Sequence, residues 1–389
     1  MIAPWLGRMA MRARAMNGDV ARSRQEGAAR IALVGDWPPP YGGVAVHLVG
    51  LAHALRERGV DVRVLDTGRG DHRGVGLVRA RGAIRYAAAL AGAVAERRLV
   101  HAHTSGASAK SWMVAMAASR ARLPGVPRPV LTVHSGLCPA WLEAGSRRRR
   151  AARAACAGFG RIVAVSREIA GALERCGVRA ERLSVIPAFL GVPLAPGAPP
   201  PRLAAARAAW APLFCAVVAP GLHYGEDLLA AAFRAARARE PLAGLVVFGR
   251  GSERGPSAAL GTCDGVVTLG EIDHQDALAV IASCDVFVRP THADGDALSV
   301  REALALRRTV VASDAGHRPP GCLVFRAGDG EDLARQMLAA ARLSSTHGEG
   351  SALPTGGALE RLLDLYRALE RRPIPSDPAR AARGAPCPP

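Results

Sequence analysis

Apolar residues come in short unbroken runs that alternate with stretches where they recur at helical spacing. From Arg30 to Pro187 the runs IALVG, VRVLD, VHAH, VLTVH, IVAV and LSVIP read as strands. Amphipathic stretches near 43–58, 79–97, 108–121 and 166–175 read as helices between them. Strands that alternate with helices predict a parallel sheet of βαβ units. The proline-rich segment GVPLAPGAPPPR (191–202) interrupts the rhythm and marks a domain boundary. A second alternation follows, with strands FCAVVA, GLVVF, VVTLG, CDVFV, TVVAS and CLVF. The stretch GALERLLDLYRALE (357–370) reads as a closing helix. The predicted class is α/β with two Rossmann-like domains, 30–192 and 193–356. Residues 1–29 and 371–389 read as a disordered basic arm and a disordered Pro/Arg tail.

The segment from Cys284 to Pro319 carries the most chemistry. A strand runs into a loop holding Asp294 and Asp296, and a helix carrying Glu302 follows. Seven residues separate Asp294 from Glu302. A loop that feeds a helix offers free backbone N–H groups and the positive end of the helix dipole, a setting that holds a diphosphate. The donors here are Asp296, Ala297, Leu298, Ser299 and Val300. Acids at these positions also cap helices and face water, so spacing alone leaves both readings open. A second strand–loop–helix unit spans 31–66, where Gly42 and Gly43 open a helix after PPPY. Paired glycines let a ligand or another backbone approach closely.

The segments PPPYGGV and DGDALSVREAL, in that order along the chain, resemble the retaining glycosyltransferases of family 4, with Asp294 in place of the first Glu of E-x7-E. LTVHSGLCPAWL and RIVAVSREIAGALERCGVRAERLSVIPAFLGV resemble further segments of that family, and HAHTSGASAKSW resembles an acceptor-side loop of its exopolysaccharide enzymes. The resemblance covers about residues 30–370. It implies the GT-B fold, two Rossmann-like domains facing across a cleft, with the helix 357–370 crossing back to the first. It implies transfer of a sugar from a nucleotide-sugar donor to a saccharide or lipid-linked saccharide, with retention. Catalytic positions would be His134, Asp294 and Glu302. Donor contacts would be Gly42, Gly43, Arg289, Asp296, Ala297, Leu298, Ser299 and Arg301. His103 and Lys110 would lie on the acceptor side. No cofactor or metal is expected. Alternatives on this fold are a nucleotide-sugar epimerase or hydrolase, or a non-catalytic homologue that binds an active enzyme.

One departure stands out. The family follows the first strand of its second domain with G-R-x4-K, whose Arg and Lys clamp the diphosphate. Here the region reads VVAPGLHYGEDLL (217–229), with Ala219 and Tyr224 near those positions. Lys110 is the only lysine in the chain. Arg289 and Arg301, flanking the acidic loop, are the candidate substitutes.

The net charge of +18 is carried almost wholly by arginine and implies attraction to anionic partners. Its densest patch is Arg147, Arg148, Arg149 and Arg150, read either as a contact to an anionic membrane or as a solvated helix face. Aromatic residues are too few to interleave with basic ones, which argues against specific nucleic-acid binding. The eight cysteines are scattered without a C-x2-C pair and read as small buried hydrophobes in a reducing compartment. The expected location is cytoplasmic, with peripheral contact at the inner face of a membrane. FGRGSERG (248–255) lacks the last glycine of a dinucleotide fingerprint, and SGASAKS (105–111) lacks the glycine before lysine of a phosphate loop. Asp296 reads as a helix cap. His101 and His103 are expected to divide between core and cleft, and a zinc site would need further ligands.

Overall fold

Two parallel sheets organise the computed structural model, which describes residues 29–70, 72–191, 193–219, 221–252, 258–344 and 357–370. The expected tail 371–389 and all but the last residue of the arm 1–29 lie outside those residues. The first sheet holds β1 (Arg30–Gly35), β2 (Asp61–Asp66), β3 (Leu77–Arg79), β4 (Leu99–Thr104), β5 (Val130–Val133), β6 (Arg161–Ala164) and β7 (Leu183–Val185). Its order is β3-β2-β1-β4-β5-β6-β7. The second holds β8 (Leu213–Val217), β9 (Gly244–Phe248), β10 (Val266–Thr268), β11 (Val286–Arg289), β12 (Thr309–Ser313) and β13 (Cys322–Phe325), in the order β10-β9-β8-β11-β12-β13.

Every described strand pairing is parallel; Leu33 of β1, for example, faces Val64 of β2 and His101 of β4. Helices cover both faces, so the central strands are buried on both sides rather than alternating, mostly with apolar residues but with His101, His103 and Thr104 on β4. The strand order reverses between β1 and β4 and again between β8 and β11. Open sheets of this kind bind ligands outside the carboxyl ends of the strands at that switch point.

The helix Ala358–Glu370 packs on the first domain, not the second. Leu359, Leu362, Leu363, Leu365 and Tyr366 share a core with Leu33, Leu48, Leu51 and Val64. Arg361 donates to the Val185 carbonyl at 3.2 Å, and Arg58 pairs with Glu360 at 2.9 Å. The chain thus leaves the first domain, builds the second and returns.

Several elements go beyond the hydrophobic pattern. The helix Pro201–Ala209 begins inside the proline-rich boundary, with proline at a position where its missing N–H costs nothing. The strand β3 has too few residues to show a period. The helix Ser146–Ala157 carries Arg147 to Arg150 on its exposed first turns, while Ala152, Ala155 and Cys156 face the core. The described cysteines are free, and all but the half-buried Cys322 are buried.

Candidate active site

The loop after β11 and the turn after β5 meet between the domains. A Cβ on Gly136 would overlap the Asp294 carbonyl, and one on Gly295 would lie 2.5 Å from the His134 carbonyl. Glycine is required at both positions because two backbones touch there. Ala188, just past the end of the first sheet, donates its N–H to Asp296 Oδ2 at 3.0 Å. The other oxygen of Asp296 accepts from Arg301 Nε at 2.6 Å. The expectation that Asp296 caps the following helix is therefore corrected. The helix runs Leu298–Ala305, its cap is Ala297, and no side chain bonds its free N–H groups. Asp296 instead ties the domains together and occupies Arg301.

Asp294 is held from three sides. Its Oδ2 accepts from Arg289 Nε at 3.0 Å, Thr291 Oγ1 at 3.2 Å and Arg318 Nη2 at 3.3 Å. Burial pushes its pKa up, but the two guanidinium groups outweigh that and hold it below the ordinary value. Arg289 also lies over the Tyr224 ring, 5.3 Å from its centroid. Glu302 is buried and accepts from His274 Nε2 at 2.6 Å. Burial lowers the His274 pKa, yet the Glu302 carboxylate more than compensates and raises it.

Across the cleft, Gly42 caps the helix Gly43–Glu57. A Cβ on Gly42 or Gly43 would meet nothing within 4 Å. Packing therefore does not require either glycine, and the space in front of them is free for a ligand. The preceding Tyr41 N–H donates to Glu271 of the second domain at 2.7 Å.

Four imidazoles line the first-domain side. His103 Nδ1 and His134 Nε2 are 3.1 Å apart, and His47 Nδ1 donates to the Ala188 carbonyl at 2.7 Å. His101 lies between Tyr366 and Thr132. The expected division of His101 and His103 between core and cleft does not occur. Residues two apart on a strand share a face, and both rings are buried with centroids 4.2 Å apart. Burial drives all four well below the ordinary histidine value, His47 to about 4 and His101 to about 3. Neutral imidazoles can donate or accept at a sugar hydroxyl. His47, His103 and His134 also offer nitrogens within 4.8 Å of one another, a set that a metal ion could use. Lys110 is exposed on the helix Ala109–Ser119, whose start is closed by reciprocal bonds between Ser108 and Ser111.

Comparison with known proteins decides the family. Residues 41–190 match the model of Glycosyltransferase Family 4, and residues 213–342 match that of Glycosyl transferases group 1. The chain is a glycosyltransferase, with a family 4 domain followed by a group 1 domain. No curated protein matches it by sequence.

Solved structures agree on the fold of this glycosyltransferase. HepE of Anabaena, in complex with UDP and glucose, is 17% identical with a TM-score of 0.61, over 87% of this chain and 100% of that one. Sucrose-phosphate synthase of Thermosynechococcus elongatus is 19% identical with a TM-score of 0.61, over 88% and 96%. A protein of Listeria monocytogenes provisionally assigned as a UDP-N-acetylglucosamine 2-epimerase is 14% identical with a TM-score of 0.60, over 90% and 99%. At such identities the likeness establishes the GT-B fold and no more.

The candidate site contains residues that the sequence does not single out: His47, Glu271, His274 and Arg318. Only His47 had a local signal, as a histidine on the glycine-led helix. The other three are placed by tertiary contacts across tens of residues.

Proposed function

We propose that this glycosyltransferase moves a sugar from a nucleotide-sugar donor to a hydroxyl of a saccharide or lipid-linked saccharide, with retention, in polysaccharide or glycoconjugate biosynthesis. The observation that carries this reading is the opposition of the His134–Gly136 turn and the Asp294–Asp296 loop at the carboxyl ends of two parallel sheets. In this reading the diphosphate lies at the uncapped start of the helix Leu298–Ala305, beside Arg289 and the open space at Gly42 and Gly43. The helix N–H groups and the guanidinium stabilise the charge that develops on the departing diphosphate. Glu302 takes the ribose hydroxyls, and Asp294 and neutral His134 take the sugar. The bond from C1 to the diphosphate oxygen breaks, the acceptor oxygen bonds C1, and the acceptor proton leaves with the diphosphate. His103 and Lys110 belong to the acceptor side. No cofactor beyond the donor is invoked. UDP is the first nucleotide to try, because HepE is bound to it.

The enzyme would work in the cytoplasm. No described helix is long and apolar enough to cross a membrane. Arg147 to Arg150, exposed beside Trp141, would hold the enzyme to an anionic surface, with Arg148 lying 5.4 Å over the Trp141 ring. Replacing all four by Gln should abolish salt-sensitive binding to anionic vesicles and spare donor turnover.

Incubation with UDP-, GDP- and ADP-sugars, with and without saccharide acceptors, tests the reaction. Release of nucleoside diphosphate with a new glycosidic bond supports it. Conversion of the donor to an epimer, or no turnover of any donor together with no nucleotide binding, overturns it.

A further inference from the structure

Arg318 sits on the loop between β12 and β13, far in sequence from either candidate for the missing phosphate clamp. Its side chain is 5% exposed. One end is fixed: Nε donates to the Ser313 carbonyl at 2.7 Å. The other end is poorly served. Nη1 reaches Asp294 Oδ2 and the His317 carbonyl at 3.4 Å each. Nη2 reaches Thr291 Oγ1 and Asp294 Oδ2 at 3.3 Å and Ser313 Oγ at 3.4 Å. Charge-assisted N–H···O bonds usually close to about 2.7–2.9 Å. Every terminal contact of Arg318 is longer than that, so a better-placed anion would replace them with shorter and stronger bonds.

The local charge count points the same way. Arg289 and Arg318 share the single carboxylate of Asp294, which leaves one positive charge uncompensated. The neighbouring charged pairs are internally matched, Arg301 with Asp296 and His274 with Glu302. His223 beside them is pushed toward its neutral form by burial and by Arg289. The surplus charge thus stands at the loop that meets the first domain, next to the uncapped helix start.

We infer that Arg318 and Arg289 together form a relocated diphosphate clamp, with Asp294 as the resident counter-ion that holds both guanidiniums in place until a nucleoside diphosphate arrives. Binding exchanges partners. The Nη groups of Arg318 leave their long contacts for phosphate oxygens, and Asp294, relieved of part of its ion pairing, becomes free to accept from the donor sugar. This inference rests on the donor-site reading above. It adds a residue to that site and makes the carboxylate a competitor of the diphosphate.

The test is calorimetric titration of the full chain with UDP, GDP and ADP, then with the nucleoside of whichever binds tightest. The readout is the ratio of nucleoside to nucleoside diphosphate Kd, which isolates the contribution of the phosphates. Arg318→Gln should lower that ratio about tenfold or more and reduce the salt dependence of diphosphate binding. Arg318→Lys, which keeps the charge and guards against a misfolded Gln variant, should recover part of it. Asp294→Asn removes the competitor and should tighten the nucleoside diphosphate severalfold while leaving the nucleoside unchanged. A ratio in Arg318→Gln equal to that of the parent, or weaker diphosphate binding by Asp294→Asn, overturns the clamp while the donor site stands. A parent that binds none of the three nucleotides overturns both.

Discussion

The Tyr366 hydroxyl on the closing helix meets Nδ1 of His101 at 2.6 Å, although the two lie 265 residues apart. Both groups are buried, and His101 Nε2 is engaged with Thr132 Oγ1 at 2.8 Å. The bond fixes the helix by a polar contact inside an apolar interface. It also joins the helix to the buried histidine cluster of His47, His101, His103 and His134. Tyr366→Phe should cost about 1–2 kcal/mol, because a buried imidazole nitrogen loses its partner. A chain ending at residue 356 exposes the Leu33 and Leu51 surface and should be insoluble or inactive, while one ending at Glu370 serves as the control. Full activity of the chain ending at 356 would show that the helix does not hold the first domain together.

The His274–Glu302 pair makes a pH-dependent claim. The folded state raises the His274 pKa, so its contribution to stability is complete below about 6.5 and is lost as pH rises through the folded value. His274→Gln should therefore destabilise the fold by about 1–3 kcal/mol at pH 6 and by less at pH 9. Urea denaturation of parent and variant at the two pH values checks this. An equal loss at both would mean that packing, not the ion pair, is what the substitution removes.

Much of the fold was legible because strand and helix periods are local. The runs IALVG and VVAS and the glycine pair at 42–43 each announce their element. The loop around Asp294 was legible as a place, but its wiring was not. That Arg289 leans on Tyr224, that Arg301 belongs to Asp296, and that Arg318 joins Asp294 depend on how three loops converge after β8, β11 and β12. No period in the sequence encodes such convergence. The misreading of Asp296 has the same origin. An acid before a helix is ordinarily a cap, and only the approach of Ala188 from the other domain turns it into a tie.

Gly136 tests whether contact between the domains matters for turnover. Its Cβ would overlap the Asp294 carbonyl across the cleft. Gly136→Ala should leave the melting temperature nearly unchanged yet hold the domains apart. The expected result is at least a tenfold loss of kcat/KM and a larger radius of gyration by X-ray scattering, since misplaced reacting groups cost rate steeply. Gly145→Ala, where nothing lies within 4 Å of the added methyl, should change neither quantity. Normal turnover in Gly136→Ala would show that the contact is dispensable.

The buried histidines should make the protein acid-sensitive well above the range where carboxylates titrate. His47 and His101 are held neutral in the fold, with pKa values pushed down to about 4 and about 3, and His103 and His134 are lowered as well. In the unfolded chain each titrates near 6.5. Between those values the unfolded state binds more protons than the folded one, so stability falls as pH falls below about 6.5. At pH 5 His47 and His101 should each have cost about 2 kcal/mol relative to pH 7.5, at about 1.4 kcal/mol per pH unit. His274 acts in the opposite sense and offsets part of one. Urea midpoints at pH 7.5, 6 and 5 should therefore drop steeply. His47→Gln should flatten that dependence by about one proton, even though losing the imidazole lowers stability at pH 7.5. A parent whose midpoint is the same at pH 7.5 and pH 5 would mean that the cluster already takes up protons in the folded state. In that case a neutral His134 at the donor sugar would have to be given up.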